Sequence, residues 1–80
     1  MSKKEAKPLS KLKVGDTGKI VGVLGSGPIR RRILEMGLVP GTEIKLKGVA
    51  PMGDPIEVLV RGYSLTLRRR EAEAVSVEVI

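Results

Sequence analysis

A mainly β domain is what this sequence predicts, on three observations. Four stretches alternate apolar and polar residues with a period of two, or share one apolar face at that spacing. One nine-residue stretch between them carries the helical spacing, with a helix start and stop around it. Glycines and prolines punctuate the rest at short intervals. An open antiparallel sheet this small would leave weak edges unless it curled, so the expected architecture is a small SH3-like barrel of about five antiparallel strands with one short inserted helix.

The elements follow in chain order. Residues 1–7, "MSKKEAK", are polar and basic with nothing to bury and read as a flexible basic tail; the barrel domain is expected over residues 8–80. Pro8 to Leu12 suits one short helical turn, and Gly15, Asp16 and Gly18 are turn residues. A first strand runs from Lys19 to Leu24. The helix is expected from Pro28 to Met36. Gly27 serves as N-cap, and Pro28 takes the first helical position, where its missing donor costs nothing. Gly37 supplies the left-handed residue at the C-terminal end, Leu38 folds back on Ile33, and Pro40 prevents continuation. At about 100° per residue Ile29, Ile33 and Met36 share one face, while Arg30 and Arg31 point away from it and Leu34 falls beside Arg30. Arg32 is expected to flank the core.

Downstream, "TEIKLKGV" from Thr42 sets Ile44 and Leu46 against Lys45 and Lys47, and "PIEVLV" from Pro55 sets Ile56, Val58 and Val60 against Glu57 and Leu59. Arg61 and Gly62 form a tight link into "YSLTLR", where Tyr63, Leu65 and Leu67 share an inward face. Glu71 and Glu73, after three arginines, read as a solvated turn that offsets their charge. Val75, Val77 and Val79 share one face of the last strand.

Composition narrows the function. The 80 residues hold no Cys, no His, no Trp, no Phe and a single Tyr, so no disulfide framework and no usual zinc or copper ligand set is available. Acid–base or nucleophilic catalysis needs converging titratable groups, yet both aspartates, Asp16 and Asp54, stand in turns; an enzyme is not expected. No acidic cluster resembles a cation-binding loop. The net charge of +6 favours acidic proteins, nucleic acid or anionic lipid as neighbours. Apolar runs such as Ile20 to Leu24 fall far below the roughly 20 residues a spanning helix needs, and nothing resembles a signal peptide. A cytoplasmic location without direct membrane insertion is expected.

The stretch "GSGPIRRRILEMGLVPG" invites a phosphate-cradle reading, since a glycine-rich turn precedes a helix start. The Lys-Ser/Thr pair of a P-loop is missing, no third glycine completes a dinucleotide fingerprint, and Pro28 removes a donor. Capping is the better account. An RNA-binding barrel is the alternative function: "VGDTGKIVGV" from Val14 has the turn-and-strand look of such domains, and the chain is basic. One inward Tyr supplies no stacking platform, so nucleic acid ranks below protein as the partner.

Three segments, "LSKLKVGDTGKIVGV", "GPIRRRILEMGLVPGTEI" and "APMGDPIEVLVRGYSLTLRRREAEAV", resemble the bacterial ferrous iron transport protein A (FeoA) family in order and spacing, from Leu9 to Val79. Similar domains also stand at the C-terminal end of metal-dependent repressors. The resemblance implies an SH3-like barrel with an accessory role beside the membrane ferrous iron permease, whose cytoplasmic part carries a GTPase domain. It implies recruitment to the inner face of the membrane through that partner, and contact with other small subunits of the system. The family is described as binding transition metal, but without His or Cys any such site here would be oxygen-only and weak, and no cofactor is expected in the isolated chain.

Two surfaces are the candidates for partner contact. The outer helix face and its following turn, Arg30, Arg31, Leu34, Leu38 and Val39, combine apolar area with guanidinium donors; a bland alternative is snorkelling over a wide apolar stripe. The other is the loop Met52, Gly53, Asp54 and Pro55, whose bland alternative is a hairpin connection.

Overall fold

In the computed structural model, which describes residues 6–25 and 27–80, the alternating segments pair as an antiparallel ladder. The elements are β1 (Ala6–Pro8), a 3-10 turn (Leu9–Lys11), β2 (Thr17–Val23), α1 (Gly27–Glu35), β3 (Glu43–Val49), β4 (Ile56–Val60), β5 (Tyr63–Leu67), α2 (Arg69–Ala72) and β6 (Val75–Val79). They form one sheet in the order β1-β6-β2-β3-β4-β5. Six antiparallel strands thus stand where about five were expected, and the mainly β, SH3-like architecture holds.

The sixth strand corrects the expected tail. Ala6 and Lys7 pair with Glu78 and Val77, so the ordered part begins before Pro8; residues 1–5 of that tail lie outside the described residues. Burial follows the period of two: Ile44, Leu46, Ile56, Val58 and Val60 are buried while Lys45, Lys47 and Glu57 are exposed. The sheet curls where register shifts by one residue, between Ile20 and Gly22 against β6 and between Leu46 and Gly48 against β4. Each bulge bends its strand and adds twist, wrapping the apolar face inward around Leu9, Ile20, Val58, Leu67, Val75 and Val77. No aromatic ring takes part in that core.

The helix ends as the sequence dictates. Leu38 N–H donates to Ile33 O at 3.3 Å and Gly37 N–H to Leu34 O at 3.0 Å, the paired bonds of a Schellman ending, with Gly37 at φ 88°. A Cβ at Gly37 would meet nothing within 4 Å, so its cost is purely backbone conformation. Gly37→Ala is therefore expected to destabilise by about 1–2 kcal/mol, with Gly37→Asn recovering part of the loss in a urea titration.

Two expectations need correction, while the tight link at Arg61 and Gly62 stands as expected. Tyr63 pairs with Val60 across the hairpin, on the inward side, but β5 is the edge strand and the ring stays 50% exposed. Glu71 belongs to no solvated turn; it lies buried in α2. Arg61, in the tight link, adopts φ 52° beside Gly62 at φ 87°, the left-handed pair that matches hairpin twist.

Candidate functional site

The helix α1 touches the barrel along one line. Ile33 is fully buried, and Ile29 and Met36 pack partly against the core. The opposite side is open: Arg30 and Arg31 are exposed and Leu34 half-buried. With Gly27 and Glu35 these three line a shallow groove of about 470 Å³. Two guanidiniums, the Glu35 carboxylate and one apolar side chain line it, and the Leu34 hydrocarbon still in contact with water leaves it only when another molecule covers the groove.

Of the five residues expected on this face, Leu38 is misplaced. It is fully buried, because the Schellman ending turns it back under the helix onto Ile33. Val39 is half-buried beyond it and lines a separate depression with Pro40, Thr42 and Arg61. The structure therefore gathers Arg30, Arg31 and Leu34 into one surface and leaves Leu38 and Val39 out of it.

The second expected surface is a separate loop between β3 and β4. Met52 is 91% exposed at the apex of the β3–β4 loop, and Gly53 turns the chain at φ 86°. Asp54 Oδ1 accepts from Arg69 N–H at 3.0 Å, and Gly53 O accepts from Arg69 Nη1 at 3.1 Å. Pro55 lies inside the turn, whose neck is closed by Ala50 N–H donating to Pro55 O at 3.0 Å.

The two surfaces are joined by residues that sequence reading does not assign. Glu71 Oε1 accepts from Arg68 N–H at 2.9 Å, capping α2, and Glu71 Oε2 meets Arg32 Nε at 2.8 Å. Arg32 and Glu71 thus fasten α1 to α2, while Arg69 fastens α2 to the Met52 loop. A signal for this is present: a glutamate three residues after the helix entry is the spacing at which a side chain caps the N-terminus. The Arg at the entry position hides it.

The chain has no His or Cys, and among the described residues no three Asp or Glu side chains converge. No helix among them is long and apolar enough to cross a membrane.

Comparison with known proteins gives this geometry its relatives. A Porphyromonas gingivalis Fe(2+) transport protein A/Fe(2+) transporter FeoB fusion protein is 44% identical over 72 residues, covering 90% of this chain and 8% of that protein. The chain thus spans less than a tenth of that curated relative. The solution structure of a FeoA-like protein from Clostridium acetobutylicum superimposes with a TM-score of 0.89 at 43% identity, covering 99% of this chain and 91% of that one. Stenotrophomonas maltophilia FeoA, described as a prokaryotic SH3 domain protein and crystallised with zinc, superimposes with a TM-score of 0.78 at 31% identity, over 89% and 88% of the two chains. The FeoA domain model matches residues 7–79, from within β1 to the end of β6, and the chain belongs to the FeoA domain family.

Proposed function

We propose that this chain is a non-catalytic adaptor of ferrous iron uptake that docks the outer face of α1 onto the cytoplasmic part of a FeoB-type ferrous iron transporter. The observation that carries the reading is covalent: in the P. gingivalis protein a FeoA segment and the FeoB transporter share one polypeptide. Such a tether holds two modules at high effective concentration, which separate chains replace with surface affinity. The α1 groove has the means for it. Arg30 and Arg31 steer an acidic partner into encounter, and Leu34 loses water once the groove is covered.

These roles separate kinetically. With the cytoplasmic part of the transporter immobilised, Arg30→Glu combined with Arg31→Glu is expected to lower the association rate by about 10-fold or more at low salt and to flatten its salt dependence. Leu34→Asn leaves association nearly unchanged and speeds dissociation by about 10-fold, the equivalent of about 1.4 kcal/mol of lost burial. Full binding and normal iron uptake with Leu34→Asn would show that α1 is the wrong surface. A single-stranded RNA shift assay on the same proteins tests the alternative: RNA binding lost with the arginines and indifferent to Leu34 supports a nucleic-acid function instead.

A further inference from the structure

The Met52 loop is not used by the α1 docking reading, and its surroundings point to a different kind of partner. Met52 is the most exposed of the large apolar side chains described. Methionine in water at a loop apex has no folding role: the neck of the loop is held instead by backbone bonds and by Arg69. Arg69, which is bonded to the loop, is the middle one of three consecutive exposed arginines, Arg68, Arg69 and Arg70, and α2 packs on the 3-10 turn that carries the exposed Lys11. The carboxylates nearby are few. Asp54 is engaged by Arg69, Glu71 is buried against Arg32, Glu73 is exposed at the C-terminal end of α2, and Glu57, at the neck of the loop with Ala50 and Pro55, faces Lys47 at 3.9 Å.

We propose that this end of the barrel is a membrane-surface contact, with Met52 entering the interface of an anionic bilayer and Arg68, Arg70 and Lys11 at the lipid headgroups. A polybasic patch is drawn to an anionic leaflet by charge, and an apolar side chain at its apex adds shallow insertion. A protein partner fits the patch less well. Protein contact centres are ringed apolar or aromatic clusters, whereas here a single exposed apolar side chain tops a loop tied to one arginine, Arg69. RNA fits less well too, because Tyr63 lies at the other end of β5 from Arg68, about 16 Å away at strand spacing, and no aromatic ring stands near Met52. The proposal goes beyond the adaptor reading and stands without it, since bilayer and protein alone are needed.

The chain contains no Trp, which makes Met52→Trp a single reporter. With vesicles of equal parts phosphatidylcholine and phosphatidylglycerol in about 0.1 M salt, where screening acts over about 10 Å, the wild-type chain is expected to co-sediment; with pure phosphatidylcholine it stays in solution. On the mixed vesicles the indole emission of the Met52→Trp variant shifts to the blue and is quenched by lipids brominated on the acyl chain. Arg68→Glu combined with Arg70→Glu lowers the partition coefficient by at least about 25-fold, at about five-fold for each cation lost. Met52→Asp lowers it several-fold while leaving a melting curve like that of the wild type. Co-sedimentation with an unmoved emission spectrum would overturn the proposal, as would equal binding to neutral vesicles. Binding of single-stranded RNA without vesicle binding, lost with the arginines and untouched by Met52→Asp, would also overturn it. If the double arginine variant fails to fold, the spectrum of Met52→Trp decides alone.

Discussion

Ile33→Ala is expected to cost about 2–4 kcal/mol, the range for truncating a large aliphatic side chain in a core that cannot collapse to fill the gap. Ile33 is fully buried and is the one residue of α1 that is. Its carbonyl also receives the Leu38 N–H of the helix ending, so the cavity opens beneath the joint between helix and turn. A domain of this size has a total stability of only several kcal/mol. The variant should therefore melt well below the wild type, at about 4–8 °C for each kcal/mol lost. A denaturant midpoint that hardly moved would mean that α1 is held elsewhere.

The second large effect belongs to Glu71. Its side chain is 10% exposed and carries both the α2 cap from Arg68 N–H and the Arg32 pair. Glu71→Ala removes both, and hydrogen bonds to a charged group lose about 1.5–3 kcal/mol each when deleted. Because Arg32 is 65% exposed and returns to water, the pair itself contributes little. The expected total is about 2–3 kcal/mol, read as a fall in Tm of roughly 8 °C or more. Glu71→Gln keeps an acceptor for Arg68 and should recover over half of the loss. Equal melting of the Ala and Gln variants would assign the stability to the charge pair instead. The same substitutions test the coupling between surfaces: with the Arg32 link gone, α1 should show faster amide exchange than the β2–β3 ladder.

The legible part of this molecule was its locally encoded part. Ile44 to Leu46 and Ile56 to Val60 announce strands because alternation is a property of consecutive residues. The ending of α1 is written in Gly37, Leu38 and Pro40 alone. What escaped was set by residues distant in sequence. β1 is three residues long and exists through pairing with β6 at the far end of the chain; nothing within "AKP" favours a strand. Glu71 is buried because Arg32 and the backbone of Arg68 meet it there, while its local string "RRREAE" is that of a solvated surface. Leu38 suits two roles in sequence, as the residue that packs under the helix and as part of the docking face, and burial decides for the first. The candidate site was legible in outline: Arg30, Arg31 and Leu34 share a groove, and Met52 stands exposed, but the arginine and carboxylate ties that hold both surfaces in place depend on the tertiary fold.

The position of β6 sets when folding can happen on the ribosome. β6 lies between β1 and β2, with Ile20 opposite Val77 on one side and Lys7 opposite Val77 on the other. Until that strand leaves the exit tunnel, β1 has no neighbour and β2 presents a bare edge. The nascent chain can assemble β2, β3, β4 and β5 in order, each beside its predecessor, but closure waits for Val75 to Val79. The twelve residues from the end of β5 to the end of β6 take about 0.6 to 2.4 seconds at about 5–20 residues per second, and for that time the exposed Lys19 is a charged side chain on the bare β2 edge, the kind of residue that discourages pairing with another chain.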